Sequence, residues 1–252
     1  MPLIETTRHG AIHVLRMARP PVNALDPGLC RALTAAIADA LAAGAQGLVL
    51  AGGQKVFSAG LDVPHLLSLG DDGDALLGAW TDFFEAARAL LGAPVPVVAA
   101  MAGHAPAGGC VLALCCDYRV MAEGPFRIGL NETQVGLVAP EGIQALLARC
   151  VGRHRAERLL VAGAMVDAAE ALRIGLVDEL AGIDGVETRA ISWLEDLLRL
   201  PRTPMLETRR IARADAVDCL REARIDLPRF VADWMQPDTQ AGLRAMLARI
   251  GK

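Results

Sequence analysis

Two glycine-rich segments are the first places in this chain where the residue types could do chemistry. Residues 57–62 read FSAGLD, and residues 106–110 read PAGGC. Each follows a short apolar run that is typical of a buried parallel strand, and the second opens a helix-like segment. Peptide N–H groups at such turns lack partners, and a helix N-terminus adds partial positive charge. Two such turns aimed at one point would hold a developing negative oxygen, although strand–glycine–helix turns also occur for packing reasons alone.

The two segments do not match the better-known glycine-rich templates. Neither reads G-x-G-x-x-G, and neither carries the Lys-Ser/Thr pair of a phosphate-binding loop. Ser58 has Val56, not glycine, two residues before it, so it does not fit the nucleophile elbow of a serine hydrolase. The pattern therefore favours neither nucleotide binding nor serine hydrolysis.

The elements that must position these turns alternate between strands and helices. The sequence predicts strands at 3–7, 12–17, 47–51, 95–101, 118–122 and near 176–180. It predicts helices from the Asp26-Pro27 cap to Gly44 and at 75–91, 110–116, 140–151, 153–162, 167–173, 186–199, 204–223 and 238–250, with a surface loop at 68–74. This alternation predicts an α/β protein with a largely parallel sheet and a helical C-terminal third.

Composition limits the class of protein. The 252 residues are 53% hydrophobic with a net charge of −4, which suits one large domain, or one domain with a small appendage. The sequence shows no basic block for nucleic acid and no apolar run of membrane-spanning length. The six cysteines lack metal or disulfide spacing. We expect a cytoplasmic bacterial protein, and one of the mitochondrial matrix only if a transit peptide was removed.

The two turns resemble the signature loops of the crotonase (enoyl-CoA hydratase/isomerase) family. Residues 21–25 (PVNAL) match the stretch that runs past the adenine and pantetheine of CoA in that family, and residues 128–140 (IGLNETQVGLVAP) resemble the mitochondrial-type Δ3,Δ2-enoyl-CoA isomerases. The resemblance is clear over residues 10–180. It implies the crotonase (ClpP-like) fold of repeated ββα units, with a core domain at 1–195 and a helical trimerisation region at 196–252. It also implies a homotrimer or a dimer of trimers.

The same resemblance implies a set of site residues. The family's oxyanion donors fall on the backbone N–H groups of Ala59 and Gly108, and Asn131 is placed to orient the base or the substrate. Hydratases of the family use two glutamates; the matching positions here hold Val111 and Glu132, so one carboxyl is missing. The segment expected to line the acyl-CoA channel is Gly60, Leu61, Asp62 and Val63. No metal and no cofactor are expected, since CoA enters as part of the substrate.

A single carboxyl suits double-bond migration better than hydration. Hydration needs one group to activate water and another to protonate the α-carbon. A 3-enoyl thioester can instead lose a proton from C2 and regain it at C4 through the same carboxyl. An apolar pocket would raise the proton affinity of Glu132 and exclude competing water. We therefore predict conversion of 3-enoyl-CoA to 2-trans-enoyl-CoA in the β-oxidation of unsaturated fatty acids, with the loop 69–74 and the helix 75–91 bounding the acyl pocket.

Several alternatives stay open at this stage. The same scaffold supports hydratase, thioesterase, decarboxylase and dehalogenase chemistry, and a non-catalytic acyl-CoA-binding scaffold is also conceivable. Glu141, at a predicted helix start, could approach the pocket as a second acid. Asp117 is predicted to be a buried structural carboxylate paired with Arg119 or with backbone amides. His104, close to the second turn, is expected to have a packing or hydrogen-bonding role.

Overall fold

The computed structural model describes residues 2–249. It contains nine strands within that range: β1 (Ile4–His9), β2 (Ile12–Met17), β3 (Gly47–Ala51), β4 (Val97–Met101), β5 (Ala105–Pro106), β6 (Tyr118–Ala122), β7 (Arg127–Gly129), β8 (Val166–Asp167) and β9 (Glu179–Ala181). Six of them form one sheet in the order β1-β2-β3-β4-β6-β9. All its neighbours pair in parallel except β1 with β2. The central strands β3 and β4 are entirely buried, as their continuous apolar sequences predict.

Thirteen helices flank the sheet in the described part of the chain. They are α1 (Pro27–Ala42), α2 (Val63–Ser68), α3 (Gly73–Leu91), α4 (Gly108–Leu114), α5 (Glu141–Val151), α6 (Arg153–Ala162), α7 (Ala168–Ile174), α8 (Val186–Leu198), α9 (Arg202–Ala212), α10 (Ala214–Cys219), α11 (Glu222–Ile225), α12 (Leu227–Trp234) and α13 (Pro237–Arg249). The predicted cap of α1 is confirmed, because Asp26 Oδ1 accepts a hydrogen bond from Leu29 N at 2.7 Å. Between residues 2 and 249, no helix is long and apolar enough to cross a membrane.

A small second sheet, which the sequence did not predict, includes the strand that leads into the second glycine-rich turn. It has the order β5-β7-β8, and its strands are only two or three residues long. Val56, just before the first turn, forms a parallel bridge with His104, just before the second. Such short strands leave too few residues for a two-residue alternation to show in the sequence.

The C-terminal part of the chain differs most from prediction. The predicted helix 204–223 is three helices, α9, α10 and α11, because the chain turns at Arg213. The Arg213 side chain points inward there and donates to Cys115 O at 2.7 Å. Helix α12 was missed, and the predicted loop at 68–74 includes the end of α2 and the start of α3. A buried tertiary contact outweighs local helical periodicity here. The division into a core domain at 1–195 and a trimerisation region at 196–252 stays a prediction.

A buried ion cluster joins the amino end of β6 to the C-terminal helices. Asp117 accepts from Val97 N at 2.8 Å and from Arg209 Nε and Nη2, each at 2.8 Å, and lies 3.2 Å from Arg213 Nη1. The predicted backbone amide contact is thus confirmed, but the predicted pairing with Arg119 is wrong. Arg119, two residues further along, instead pairs at 2.7 Å with Asp178 in the segment just before β9.

Helix α5 packs against α10 so closely that it needs a glycine. A Cβ atom on Gly142 would lie 1.8 Å from Cys219 O, a backbone atom that cannot rotate away. We expect Gly142→Ala to lower the free energy of unfolding by about 3 kcal/mol, measured by urea denaturation. Gly78→Ala is the matched control, because Gly78 lies in α3 with nothing within 4 Å of its Cβ position. It should raise stability by about 0.5–1 kcal/mol; equal effects of the two substitutions would contradict the packing argument.

Candidate active site

A cavity of about 800 Å³ lies where the segments after β3, β4 and β6 meet. These three strands are parallel neighbours, so their carboxyl ends share one edge of the sheet. That edge is where open α/β sheets bind ligands. The cavity wall comes from residues 19–24, 59–64, 80–84, 106–111 and 131–143 and from helices α12 and α13. Of the predicted site residues, all but Gly60 line it: Ala59, Leu61, Asp62, Val63, Gly108, Asn131 and Glu132.

The two glycine-rich turns touch each other at the cavity wall. Gly60 has a φ of +81°, and a Cβ atom there would lie 3.0 Å from Gly108 N. A side chain at Gly60 would therefore be strained and would also crowd the peptide nitrogen that opens α4. The N–H group of Gly108, the first residue of α4, donates to no acceptor among residues 2–249. The Gly108 N–H group is therefore free to act as the predicted donor, and this role stays a prediction.

The predicted donor role of Ala59 is wrong. The Ala59 N–H group donates to Val22 O at 2.9 Å and is therefore already used. Two residues later, Leu61 lies between two residues that are hydrogen-bonded to the backbone of Leu25. Gly60 O accepts from Leu25 N, and Asp62 N donates to Leu25 O. The N–H group of Leu61 itself has no acceptor in the described part of the chain, and Leu61 lines the cavity. Among the residues of the two glycine-rich turns that line the described cavity wall, the unpaired amides are therefore those of Leu61 and Gly108.

Glu132 opens a 3-10 turn, Glu132–Val135, and lines the same cavity as these amides. Its backbone oxygen accepts from Leu137 N at 3.0 Å, whereas its Oε2 atom is buried without a hydrogen-bond partner among residues 2–249. Burial raises the pKa of Glu132 to about 7, against a smaller lowering by a backbone hydrogen bond. Near neutral pH this carboxyl therefore exists in both forms, which is the property a proton carrier needs.

The raised pKa of Glu132 predicts a pH-dependent cost to stability. Below pH 4.5 the carboxyl is protonated in both states and contributes nothing. As pH rises from 4.5 to about 7 the unfolded state ionises first, so stability falls, and above pH 7 the full cost of about 3 kcal/mol persists. The stability of Glu132→Gln relative to the natural protein should therefore grow by about 2 kcal/mol between pH 5 and pH 8, measured by urea denaturation. A difference that stays constant with pH would show an ordinary pKa.

The other acidic candidates are accounted for by contacts away from proton transfer. Asp62 caps α2 by accepting from His65 N at 3.0 Å, and it pairs with Arg19 Nη2 at 2.7 Å. Glu141 is not in the cavity wall; its side chain is 73% exposed and pairs with Arg224 at 2.8 Å. Val111 lines the cavity with an apolar side chain. Glu132 is thus the one carboxyl of the described cavity wall that no cation neutralises.

Two further polar residues near the turns, Asn131 and His104, differ in whether they line the cavity and in whether their side chains have hydrogen-bond partners. Asn131 lines the cavity beside Glu132, and its Oδ1 atom is buried without a partner in the described chain. His104 is outside the cavity wall, where its Nδ1 atom accepts from Arg127 N at 3.0 Å and its ring meets Phe126 edge-on. The predicted packing and hydrogen-bonding role of His104 is confirmed.

Sequence reasoning missed the aromatic part of the cavity wall. Trp80, Phe83 and Phe84 come from α3, and Phe230 and Trp234 come from α12. The α3 residues follow helical spacing, which cannot distinguish a cavity wall from core packing. The predicted helix 75–91 thus lines the cavity, whereas the loop at 69–74 contributes nothing to the described wall. That this cavity holds the acyl chain stays a prediction. Arg19 was also missed; it lies at the cavity mouth among prolines 20 and 21.

Comparison with known proteins gives consistent matches over nearly the whole chain. A family model described as enoyl-CoA hydratase/isomerase matches residues 7–246. Enoyl-CoA delta isomerase 1, mitochondrial, of Mus musculus is 32% identical over 98% of this chain and 86% of its own length. A probable enoyl-CoA hydratase of Rhizobium meliloti is 32% identical over 98% of this chain and 95% of its own. The crystal structure of human mitochondrial delta3-delta2-enoyl-CoA isomerase superposes with a TM-score of 0.92 at 31% identity, covering 98% of each chain.

Proposed function

Because this chain belongs to the enoyl-CoA hydratase/isomerase family and has the crotonase fold, we propose that it moves the double bond of 3-enoyl-CoA to give 2-trans-enoyl-CoA. The observation that carries the proposal is the single unneutralised carboxyl, Glu132, in a cavity wall where Val111 supplies no second acid. The physiological role we propose is the β-oxidation of unsaturated fatty acids.

The proposed mechanism uses one base and two backbone donors. The thioester oxygen accepts from the N–H groups of Leu61 and Gly108, and ionised Glu132 takes a proton from C2. The C2–H electron pair becomes the C1–C2 double bond of a dienolate in which C3–C4 stays double, and the carbonyl π pair moves onto the thioester oxygen, where the charge rests. The dienolate then takes the proton back from Glu132 at C4, which leaves the double bond between C2 and C3. Each backbone donor is worth about 3–4 kcal/mol of barrier.

The environment of Glu132 supports this assignment. A carboxyl with a pKa of about 7 is basic enough to abstract the C2 proton and acidic enough to return it at neutral pH. Hydration would need a second group on the water molecule, and the apolar side chain of Val111 cannot serve. Some relatives are named probable hydratases, including one of Mycobacterium avium that is 35% identical over 84% of this chain. The two reactions must therefore be separated by assay.

The test is a pair of absorbance assays on the purified protein. Isomerisation of a 3-enoyl-CoA creates a conjugated thioester, so ultraviolet absorbance rises, whereas hydration of a 2-trans-enoyl-CoA removes it. We expect the first rate to exceed the second by at least about a hundredfold, the typical contribution of one acid–base group. Faster loss of 2-enoyl absorbance would identify a hydratase instead. Acyl-CoA binding without either reaction would reject both reactions and leave a scaffold or another acyl-CoA chemistry of the family.

We further propose assembly as a homotrimer or a dimer of trimers. Support comes from large apolar side chains left exposed in the single chain, among them Val161 at 76% and Ile211 at 62%. Light scattering after size exclusion should give three or six times the 26.5 kDa chain mass. A monomer at micromolar concentration would contradict the proposal.

A further inference from the structure

The cavity has an open end and a closed end. At the mouth, Pro20 and Pro21 are exposed. The closed end is formed by four buried rings, Trp80, Phe83, Phe230 and Trp234, which we call the aromatic wall. The Trp80 ring centroid lies 4.4 Å from that of Phe230, 5.7 Å from that of Trp234 and 6.3 Å from that of Phe83, all edge to face. Interlocked rings of this kind resist displacement.

The aromatic wall is held by the chain's own C-terminal helices. Helix α12 supplies Phe230 and Trp234, and α13 packs on the turn that carries Glu132. Thr239 Oγ1 donates to Gly136 O at 2.7 Å, and a Cβ atom on Gly242 would lie 2.8 Å from Val135 O. The closed end is therefore anchored to the catalytic turn by close backbone contact, which fixes the depth of the cavity from Glu132 to the wall.

The closed end offers mostly apolar surface to a ligand. Val135, Leu137, Ile143 and Leu243 complete it, and all are buried. The indole Nε1 atom of Trp80 is covered, so it presents no donor there. Within the described residues this end contains no charged side chain. A hydrocarbon tail suits such a surface, and an oxygenated tail would lose its hydrogen bonds to water.

We propose that the aromatic wall limits the acyl chain to medium length and that Phe230 is its specificity-determining residue. The inference rests on the proposed function, since it assumes that acyl-CoA fills this cavity. A volume of about 800 Å³ holds about 27 non-hydrogen atoms at the roughly 30 Å³ that each water molecule occupies in the liquid. The pantetheine arm takes part of this space, which leaves room for a tail of about ten carbons. Phe230 is the most exposed of the four rings and belongs to the last helix before α13.

The test is a titration of the protein with saturated acyl-CoAs from hexanoyl- to hexadecanoyl-CoA by calorimetry. Affinity should rise about fourfold per CH₂ up to about decanoyl-CoA and then stop rising, because the tail has reached the wall. Phe230→Leu should move this limit to longer chains and raise the affinity for tetradecanoyl-CoA at least about tenfold relative to octanoyl-CoA. Phe230→Trp should move the limit to shorter chains. A continued rise to hexadecanoyl-CoA in the natural protein would overturn the proposal.

Phe126→Leu is the matched control, because Phe126 loses the same ring but packs on His104 outside the cavity wall. It should leave the chain-length profile unchanged; the same shift in both Leu variants would also overturn the proposal. The titration requires no turnover, so its outcome is separate from that of the isomerase assay. A flat profile with normal isomerisation rejects only the chain-length limit. A clear limit without isomerisation rejects only the proposed reaction.

Discussion

Glu132→Gln is expected to lower kcat for 3-enoyl-CoA isomerisation by about 10³-fold, which is within the range for removal of a general base. Glutamine keeps the shape of the side chain, but it can neither take the C2 proton nor return it at C4. The buried Oε2 atom of Glu132 has no partner in the described chain, so the substitution breaks no hydrogen bond there. The affinity for a saturated acyl-CoA should therefore change by less than about threefold. Stopped-flow absorbance and calorimetry measure the two quantities.

Glu141→Gln is the control for that experiment. Glu141 lies nine residues along the chain, but it is exposed and paired with Arg224. Its substitution should leave kcat within about twofold, as expected for a surface ion pair remote from the reacting atoms. Residual isomerisation above a tenth in Glu132→Gln would mean that another group carries the proton. A large loss in Glu141→Gln would revive the two-acid mechanism.

Asp117→Ala is expected to lower the free energy of unfolding by about 3–5 kcal/mol. The substitution removes the only anion that contacts both Arg209 and Arg213 in the described chain, and it leaves Val97 N without its acceptor. Burial already lowers the pKa of Arg213, with Asp117 the main group that favours its charged form. Without Asp117, two guanidinium groups would remain at the end of β6 with no counter-charge.

Asp215→Ala is the matched control, because it breaks an exposed carboxylate pair with Arg149. It should cost at most about 1 kcal/mol. Both variants are compared by urea denaturation at pH 7. If Asp117→Ala does not accumulate as folded protein, Asp117→Asn is measured in its place. Asparagine retains an acceptor for Val97 N, so we expect a smaller loss of stability. Equal stabilities of the Asp117 and Asp215 variants would show that the cluster is not a stabilising element.

Local signals in the sequence predicted much of the fold. Asp26-Pro27 marked the start of α1 because a capping side chain and a fixed φ act on neighbouring residues. The apolar run at 47–51 marked β3 because a parallel strand is covered on both faces. Helix α12 was not predicted because Asp226 and Pro228 are typical of a turn. Its apolar face is recognisable only in the tertiary structure, where it packs against Trp80.

The site could be predicted only in part, for the same physical reason. Glu132 and the empty second position at Val111 depend on residue identity, which the sequence displays. The free amides depend on which backbone groups are already bonded. The Ala59 N–H group is already bonded to the carbonyl of Val22, a residue distant in sequence. The Leu61 N–H group stays unpaired because it is the residues on either side of Leu61 that bond to Leu25. Likewise, Asp117 met Arg209 through a contact 92 residues away in sequence. Such pairings require the tertiary fold.

The contact between α13 and the turn that carries Glu132 has a consequence for biosynthesis. Thr239 reaches Gly136 across 103 residues, so the turn that carries Glu132 leaves the ribosome long before its support exists. A nascent chain that ended before α13 would contain both glycine-rich turns and Glu132, but it would lack the helix that packs on the Glu132 turn. The proposed site would then be complete only after α13 has been synthesised and packs on this turn.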